Sequence, residues 1–555
     1  MGGSFLEKFF NSDSAYEKWV RKNKKKKSSQ QYESGKKRYL NGLKGRVQNN
    51  LSGFLRVLVT AWIVFLQVLL IIFLPFLLRQ FTVFFYFIVE IISVIAIVTL
   101  VNRNQSPSYR LAWISIVLLL PISGFFMYYL WGRSSKKRKY LDRHILRQIS
   151  YGNQFLLEDK KVTAEYIAKN PVAGRMVKYM SAEKYMFTGG NEVSYYPMGE
   201  DVFEDIFADL EKAEKFILID FFIVAEGAIW DKLHEILLRK IDEGVEVKFM
   251  YDDFGAAIRT GKYFKRVLED EGFEVRVFNP IHKYTGELYM NFRSHQKILI
   301  IDGEVGYTGG FNIADEYANL IERFGVWKDT GVRICGEGVW GLTVVFLQMW
   351  EVCGRDEKHI DYLKYKAIYP RVGNTYCQVI SDGPANNPRN PIESIYNQMI
   401  MYSNKYLYIT TPYLIIEDYM KQSLIEAVKR GVDVRIITPN IPDKKQVKML
   451  TNYNYGVLLR EGVRIYEYTP GFIHAKQILT EDAVIVGTIN MDYRSFYLHY
   501  ENGVWMSGRQ IQNKVKKDFE KTFEDSKEIT YQDWLNRPRT WKMVQPILNV
   551  FSTLM

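Results

Sequence analysis

Three apolar stretches dominate the first quarter of the chain, at residues 57–78, 81–101 and 111–130. Each is about 20 residues long, which is the length that an α-helix needs to cross the hydrocarbon core of a bilayer. Arg79 and Gln80 leave almost no loop between the first two stretches, and Glu90 lies near the middle of the second. The pattern predicts N-terminal transmembrane helices, in which 57–101 forms a tight hairpin or contains one re-entrant segment.

From about residue 166 the pattern changes to short apolar runs that alternate with amphipathic segments. The copies of this pattern lie about 180 residues apart, so the chain holds a duplicated domain and not a solenoid of short repeats. Alternating strands and helices favour an α/β fold with a mostly parallel or mixed sheet. The predicted elements are strands at 215–222, 244–252 and 273–280 with a helix at 229–241, and then strands at 405–410, 431–438 and 462–468 with a helix at 417–430.

The main chemical signal is a short motif that occurs once in each copy. His295 and Lys297 lead into one β-branched, aliphatic run, and His474 and Lys476 lead into another. Because successive side chains of a strand point to opposite faces, a histidine and a lysine two residues apart share a face. One such motif is weak, since a lone histidine beside a strand is more often structural. Two copies predict a site to which each half contributes equally.

A turn of small residues and an asparagine follow each motif. The first copy continues with Gly309, Gly310 and Asn312, and the second with Gly487 and Asn490. Glycine lets the backbone approach a ligand closely, and a helix that starts behind it offers amide donors to an anion. We therefore expect two half-sites that together bind a phosphate group.

The duplicated H-x-K motif with its downstream acid, small residues and asparagine resembles that of the phospholipase D superfamily. Segments 106–113, 324–330 and 490–496 are in addition similar to segments of bacterial cardiolipin synthases, and the resemblance covers roughly residues 55 to 555. It implies two tandem phospholipase D-like α/β halves that form one pseudo-symmetric catalytic unit behind transmembrane helices. The implied reaction makes cardiolipin and glycerol from two phosphatidylglycerol molecules through a covalent phosphohistidine, without a cofactor or a metal.

The resemblance also implies roles for individual residues. His295 is expected to be the nucleophile, since its copy keeps the full spacing to Asp302 and the Gly309-Gly310 pair, and His474 the general acid and then base. Each histidine needs a carboxylate to fix its other ring nitrogen, and we predict Glu501 for His474 and Asp329 for His295. The remaining expected site residues are Lys297, Lys476, Asn312 and Asn490 as phosphoryl-oxygen ligands. Asp302, Glu481 and Asp482 are expected among the catalytic residues as the motif acids, and their place at a strand end suggests that such an acid works mainly by holding the turn.

Charge is distributed unevenly along the chain. The net charge is +12, yet residues 1–150 hold 24 Lys and Arg against six Asp and Glu, so the rest of the chain is net negative. A nucleic-acid enzyme would carry its positive charge on the catalytic region; a basic N-terminal region instead fits anionic membrane lipids.

The predicted regions are a basic arm (1–56), a transmembrane region (57–131), a basic linker (132–165), two catalytic halves (166–370 and 371–540) and an apolar tail (541–555) that either packs or lies at a membrane interface.

The cysteines and histidines of the chain indicate which kinds of structural site it lacks. Cys335, Cys353 and Cys377 form no paired motif and no histidine has metal-ligand spacing, which argues against disulfides and a zinc site. Basic residues at both ends of the apolar region favour a multi-pass plasma-membrane protein whose catalytic halves face the cytoplasm. Two alternatives remain: a phospholipase D or nuclease that transfers to water, and a non-catalytic membrane scaffold. Acyl-chain preference and oligomeric state are not encoded in these patterns.

Overall fold

The computed structural model describes residues 82–554, except for 104, 133–135, 258, 262, 281–290, 355–357 and 370, together with residues 65 and 69. The predicted basic arm and nearly all of the first apolar stretch therefore lie outside the described residues.

The N-terminal part of the described chain consists of helices α1 (Thr82–Val101), α2 (Pro107–Leu119) and α3 (Pro121–Met127), followed by a π-helical turn at Tyr128–Gly132. Within the residues that the structure describes, no helix combines the length and hydropathy that a membrane crossing requires. The prediction of one helix over 111–130 is wrong, because the chain leaves helical geometry at Leu120 (φ −133°, ψ 72°). Pro121 causes this break, since proline lacks an N–H and disfavours helical dihedrals in the residue before it.

Three helices lead into the first half, whose strands and helices follow in alternation. The leading helices are α4 (Lys136–Gly152), α5 (Lys160–Lys169) and α6 (Pro171–Ala182). The first half contains β1 (Phe187–Tyr196), α7 (Gly199–Leu210), β2 (Phe216–Phe221), α8 (Ala228–Asp242), β3 (Glu246–Asp252), α9 (Asp253–Ala256), α10 (Phe264–Asp270), β4 (Glu274–Phe278), β5 (Arg293–Ser294), β6 (Lys297–Ile301), β7 (Val305–Gly309), β8 (Val326–Lys328), β9 (Gly331–Cys335) and α11 (Gly338–Cys353).

The second half repeats this order and adds elements at its end. It contains β10 (Thr375–Asp382), α12 (Pro391–Tyr402), β11 (Tyr406–Thr410), β12 (Leu414–Ile415), α13 (Asp418–Lys429), β13 (Asp433–Pro439), α14 (Lys445–Arg460), β14 (Arg464–Tyr468), β15 (Gly471–Ile473), β16 (Gln477–Thr480), β17 (Val484–Gly487), β18 (Met491–Asp492), α15 (Tyr493–Tyr497), β19 (His499–Ser507), α16 (Arg509–Glu524), β20 (Ser526–Ile529), α17 (Tyr531–Leu535) and α18 (Arg539–Val550).

One mixed sheet of 16 strands joins the two halves. Strands β1 and β10 pair antiparallel at its centre. The strands then follow in matching order on each side, as β9, β7, β6, β2, β3 and β4 in the first half and β19, β17, β16, β11, β13 and β14 in the second. This arrangement confirms the predicted duplicated α/β fold with tandem halves.

Helix α11 fills the layer beneath the first half of the sheet. Its residues from Gly338 to Glu351 are all buried, and it packs between α4 and the strands of the sheet. A helix that is apolar on every side is expected to be enclosed in this way. The basic region after the apolar stretches therefore continues as a helix, α4, that docks on the catalytic core.

The C-terminal helix α18 packs against α14 and α2. Packing was one of the two alternatives predicted for the apolar tail. The helix is nevertheless only partly covered, because Met543 and Ile547 are exposed.

Candidate active site

The two H-x-K motifs lie where short strands of one half pair with the other half. Strand β5, just before His295, runs parallel to the start of β19. Strand β15, just before His474, runs parallel to β8. Each histidine is therefore held at a junction between the halves, and both histidines are buried.

His295 is fixed by two consecutive residues of the second half. Its backbone N–H donates to the carbonyl of Tyr500 (2.8 Å). Its ring Nδ1 lies 2.9 and 3.0 Å from the two carboxylate oxygens of Glu501. A carboxylate at this distance holds the proton on Nδ1 and leaves Nε2 with a free lone pair.

His474 is fixed in the same way by the first half. Its backbone N–H donates to the carbonyl of Lys328 (2.7 Å), and its Nδ1 lies 2.6 Å from Oδ2 of Asp329. Lys476 distinguishes the two sites, because its Nζ lies 2.7 Å from the same Nδ1 of His474 and also donates to the carbonyl of His474.

The predicted assignment of carboxylates to histidines is wrong, because each acid serves the histidine of the other half. Glu501 contacts His295 and Asp329 contacts His474. The reason is the crossed strand pairing, which carries the acid of one half to the motif of the other. Both acids are completely buried, so neither is exposed to water in this arrangement.

Burial keeps the two imidazoles neutral. It lowers the pKa of His295 well below its usual value, and the nearby charge of Lys297 lowers it further. Burial and Lys476 lower the pKa of His474 to about 4, against the opposing effect of Asp329. A neutral imidazole whose Nδ1 is held by a carboxylate is suited to attack or accept a proton through Nε2.

Both motif lysines are fully buried beside the histidines. Burial lowers the pKa of Lys297 to about 7 and that of Lys476 to about 8, while Glu501 and Asp329 oppose this effect. The side chain of Lys297 donates to the carbonyl of His295 (2.7 Å). A bound phosphate anion would favour the charged form of both lysines.

A third histidine, which the sequence analysis missed, completes the environment of Glu501. Nε2 of His499 accepts from Nε of Arg494 (3.0 Å), which leaves the ring proton on Nδ1, 3.5 Å from Oε1 of Glu501. Thr488 donates its hydroxyl to the same carboxylate. His499 stands two residues before Glu501 on β19, and the close spacing of these two polar residues on a strand was the available signal.

The two predicted asparagine ligands are not equivalent. Oδ1 of Asn312 accepts from the backbone of Ile223 (2.9 Å), and Nδ2 donates to the hydroxyl of Tyr317 (2.8 Å). Oδ1 of Asn490, although buried, has no hydrogen-bond partner among the described residues. Asn312 thus holds the loop beside His474, and Asn490 has more freedom to reorient toward a ligand.

The motif acids lie outside the site. Oδ1 of Asp302 accepts from the backbone of Lys215 and Phe216, and Oδ2 from that of Glu214, at 2.7 to 2.8 Å. Glu481 takes the corresponding position with one bond, from the backbone of Asn404 (2.7 Å).

Placing Asp302, Glu481 and Asp482 among the catalytic residues was therefore wrong, whereas the expectation that the motif acid holds a turn is confirmed for Asp302 and Glu481. The backbone N–H of Asp482 only bonds Thr480 (3.3 Å).

The two glycines after the first motif are in close contact with other residues of the protein, which leave no space for a side chain. A Cβ on Gly309 would lie 2.3 Å from the carbonyl oxygen of Thr330, and one on Gly310 would lie 2.0 Å from Oδ1 of Asp329. The prediction that these glycines admit a substrate is not supported by this geometry. They admit strand β9 and the carboxylate that holds His474.

Among the described residues, His295, His499 and Glu501 are the one group of metal-binding type whose donor atoms all lie within 4.8 Å of one another. Positive charge from Lys297 and Arg494 acts on the same two histidines and opposes a bound cation. The donor set therefore fits a metal poorly.

Most of the chain is similar in sequence to proteins of known families. Residues 206–327 and 396–523 match the family described as "Cardiolipin synthase, PLD-like domain", and residues 91–133 match "Phospholipase_D-nuclease N-terminal". The major cardiolipin synthase ClsA of Bacillus subtilis is 30% identical over 489 residues, which are 85% of this chain and 98% of that protein. A cardiolipin synthase of Clostridium perfringens is 33% identical, over 82% of this chain and 95% of its own length.

A solved structure shares the fold. The phosphatidylserine synthase of Haemophilus influenzae superposes with a TM-score of 0.53 at 14% identity, over 68% of this chain and 98% of that one. At this identity the likeness concerns the fold alone.

Proposed function

Because this chain belongs to the cardiolipin synthase family, we propose that it makes cardiolipin and glycerol from two molecules of phosphatidylglycerol. The family already makes it a phosphatidyltransferase. The observation that carries the finer proposal is the pair of buried histidines, each held through Nδ1 by a carboxylate from the other half. Two such imidazoles supply the nucleophile and the proton donor that a phosphodiester exchange needs.

In the proposed first step, Nε2 of His295 attacks the phosphorus of one phosphatidylglycerol. The bond to the glycerol oxygen breaks, and that oxygen takes a proton from Nε2 of His474. Glycerol leaves, and the phosphatidyl group stays on His295. The ammonium groups of Lys297 and Lys476 neutralise the charge that develops on the phosphoryl oxygens.

In the second step, the terminal hydroxyl of a second phosphatidylglycerol attacks the phosphohistidine. His474, now neutral, takes the proton of this hydroxyl, and Nε2 of His295 leaves phosphorus. The products are cardiolipin and the original enzyme. In the free enzyme the pKa of His474 is lowered to about 4, so the negative charge of the bound lipid has to raise it before the first step.

The choice of His295 as nucleophile needs a new basis, because Asp302 and the Gly309-Gly310 pair lie outside the chemistry. The two pKa shifts provide one. Each histidine has a carboxylate beside it that favours its charged form, yet the pKa of His295 is lowered well below its usual value, by burial, Lys297, His499 and Lys476, whereas that of His474 is lowered only to about 4. His474 is thus the easier of the two to protonate, as a general acid must be, and His295 stays neutral, as a nucleophile must.

We further propose that the protein acts at the plasma membrane with its catalytic halves on the cytoplasmic side. The apolar stretches 57–78 and 81–101 and the basic residues on either side of this region support this proposal. Helix α1 also exposes many large apolar side chains, Phe84, Phe87 and Ile95 among them.

Hydrolysis by a phospholipase D reaction is the second candidate function, since it needs the same histidines and differs only in using water as the acceptor. The experiment that separates the two is incubation of the purified full-length protein with phosphatidylglycerol vesicles, followed by identification of all products. Cardiolipin with an equal amount of free glycerol supports transfer. Phosphatidic acid without cardiolipin would identify a hydrolase, and no product with any phospholipid would favour the scaffold alternative.

A further inference from the structure

Helix α18 leaves large apolar side chains exposed on its outer side, while its inner side holds one buried polar residue beside the half-buried Trp541 and Leu548. Gln545 faces the protein and is completely buried. Its amide donates to the carbonyl of Met449 (2.9 Å) and to Oδ1 of Asn452 (3.0 Å), and accepts from Nε of Arg537 (2.8 Å). A helix of a water-soluble surface normally buries its apolar stripe and exposes its polar one.

The outward face of α18 is apolar. Met543 is 74% exposed, Ile547 62% and Val544 40%. These three residues lie on one side of the helix because they are one, three and four positions apart. Arg539 and Lys542, both exposed, lie beside them. We call these five residues the outer face of α18.

The N-terminal helix against which α18 packs also exposes apolar side chains. Helix α18 packs against α2, whose Leu111 and Leu118 are 56% and 59% exposed. The loop before α2 also contacts the catalytic region, because Ser106 donates to the hydroxyl of Tyr493 (3.3 Å), three residues after Asn490. The exposed apolar surface therefore borders the elements that carry the site.

We propose that the outer face of α18 lies in the headgroup region of an anionic phospholipid bilayer, as a membrane contact separate from the N-terminal apolar stretches. The apolar side chains would enter the acyl boundary, and Arg539 and Lys542 would pair with lipid phosphates, as in interfacial amphipathic helices. A second copy of the chain fits this face less well, since symmetric pairing would bring the two sets of cations together. The contact would hold the catalytic halves close to lipids of the class that the proposed function uses as substrate.

A fluorescence experiment on the full-length protein tests this placement directly. Cys335, Cys353 and Cys377 are first replaced by alanine, and an environment-sensitive fluorophore is attached at Ile547→Cys or, as a matched control, at Glu520→Cys on α16, where the side chain is 56% exposed. Each protein is reconstituted into phosphatidylserine or phosphatidylcholine vesicles that contain a lipid-borne quencher near the headgroup. We expect severalfold stronger quenching at position 547 than at 520, and a weaker effect in phosphatidylcholine.

Each other outcome overturns the proposal. Quenching at position 547 that is as weak as at position 520 would mean that water, and not lipid, covers the outer face. A blue-shifted emission at 547 that lipid does not quench and that disappears on dilution would mean that a second copy covers it. Because the vesicles contain no phosphatidylglycerol and no turnover is measured, the result does not depend on the proposed reaction.

A second pair of variants links the face to activity. Ile547→Gln is compared with Leu363→Gln, a similarly exposed apolar residue (58%) in the first half. We expect Ile547→Gln alone to lower the rate on dilute anionic vesicles and to leave the rate in substrate-saturated detergent micelles unchanged. An equal loss in micelles, or an unchanged rate on vesicles, would contradict a role of the outer face in reaching lipid.

Discussion

Gly310 lies so close to Asp329 that no side chain fits at this position. Replacing it with alanine would place a Cβ 2.0 Å from Oδ1 of Asp329, so the carboxylate would have to move away from His474. We expect Gly310→Ala to lower activity about as much as Asp329→Asn, by roughly 10² to 10⁴, with little change in melting temperature. Gly261→Ala is the control, because the nearest atom to its new Cβ is 3.8 Å away. Normal activity of Gly310→Ala would show that Asp329 need not be held where it is.

The crossed acids can be tested by trapping the intermediate. In His474→Ala the proposed nucleophile survives, but the acid for forming the intermediate and the base for breaking it down are both missing, so labelled lipid should appear slowly on the peptide that contains His295 and then persist there. Adding Glu501→Gln, which disturbs His295, should slow this labelling by about 10² or more. Adding Asp329→Asn should change it little, because the partner of Asp329 is already gone. Label on the His474 peptide of a His295→Ala protein would reverse the roles of the two histidines.

The lysines predict the alkaline side of the pH profile. Burial lowers the pKa of Lys476 to about 8; below that pH the ammonium is charged and can neutralise phosphate, and above it the charge is lost. Burial lowers the pKa of Lys297 further, to about 7, so we expect kcat/KM to fall in two steps as pH rises through about 7 and then about 8. Arginine keeps its proton throughout this range, so Lys476→Arg, where active, should remove the step near pH 8. A step near pH 8 that stays in place in this variant would assign it to another group.

At the scale of elements, the acid that ends each motif acts through the turn it holds. Asp302 accepts three backbone N–H groups and Glu481 accepts one. Because hydrogen bonds to a charged group contribute more than neutral ones, Asp302→Ala should lower the free energy of unfolding by about 2 to 4 kcal/mol, and Glu481→Ala by about half as much. Denaturant melts measure both. The folded fraction should retain its kcat, and a loss of kcat without a loss of stability would return Asp302 to the chemistry.

The length of each element decides which features of the fold and of the site could be predicted from the sequence. Strands such as β2 and β11 were predictable because each is a run of apolar residues followed by an amphipathic helix. The crossed acids were not, because they depend on β5 and β15, which are two and three residues long and pair with strands that are remote in sequence. Strands this short carry no periodic pattern, so Asp329 and Glu501 were identified as orienting residues but assigned to the wrong histidines.

At the scale of the whole molecule, the site belongs to one chain and not to an assembly. Both histidines and both acids come from the same chain, so a mixture of His295→Ala and His474→Ala proteins should be as inactive as each variant alone. Lipid transfer assays of the mixture, with the wild-type protein diluted into either variant as a control, measure this. Recovery of activity on mixing would mean that halves exchange between chains.

The crossed strand pairing also sets the moment at which a newly made chain acquires its chemistry. When the ribosome has released only the first half, His295 still lacks Glu501, and Asp329 has no histidine to hold. The last of these groups to be synthesised is Glu501, so a chain that stops before residue 501 cannot form the His295–Glu501 pair, and the nucleophile becomes reactive only late in synthesis. The same geometry describes how the chain could have originated: two identical single halves, associated about a two-fold axis, would satisfy both histidines, and joining their genes end to end would produce the present order.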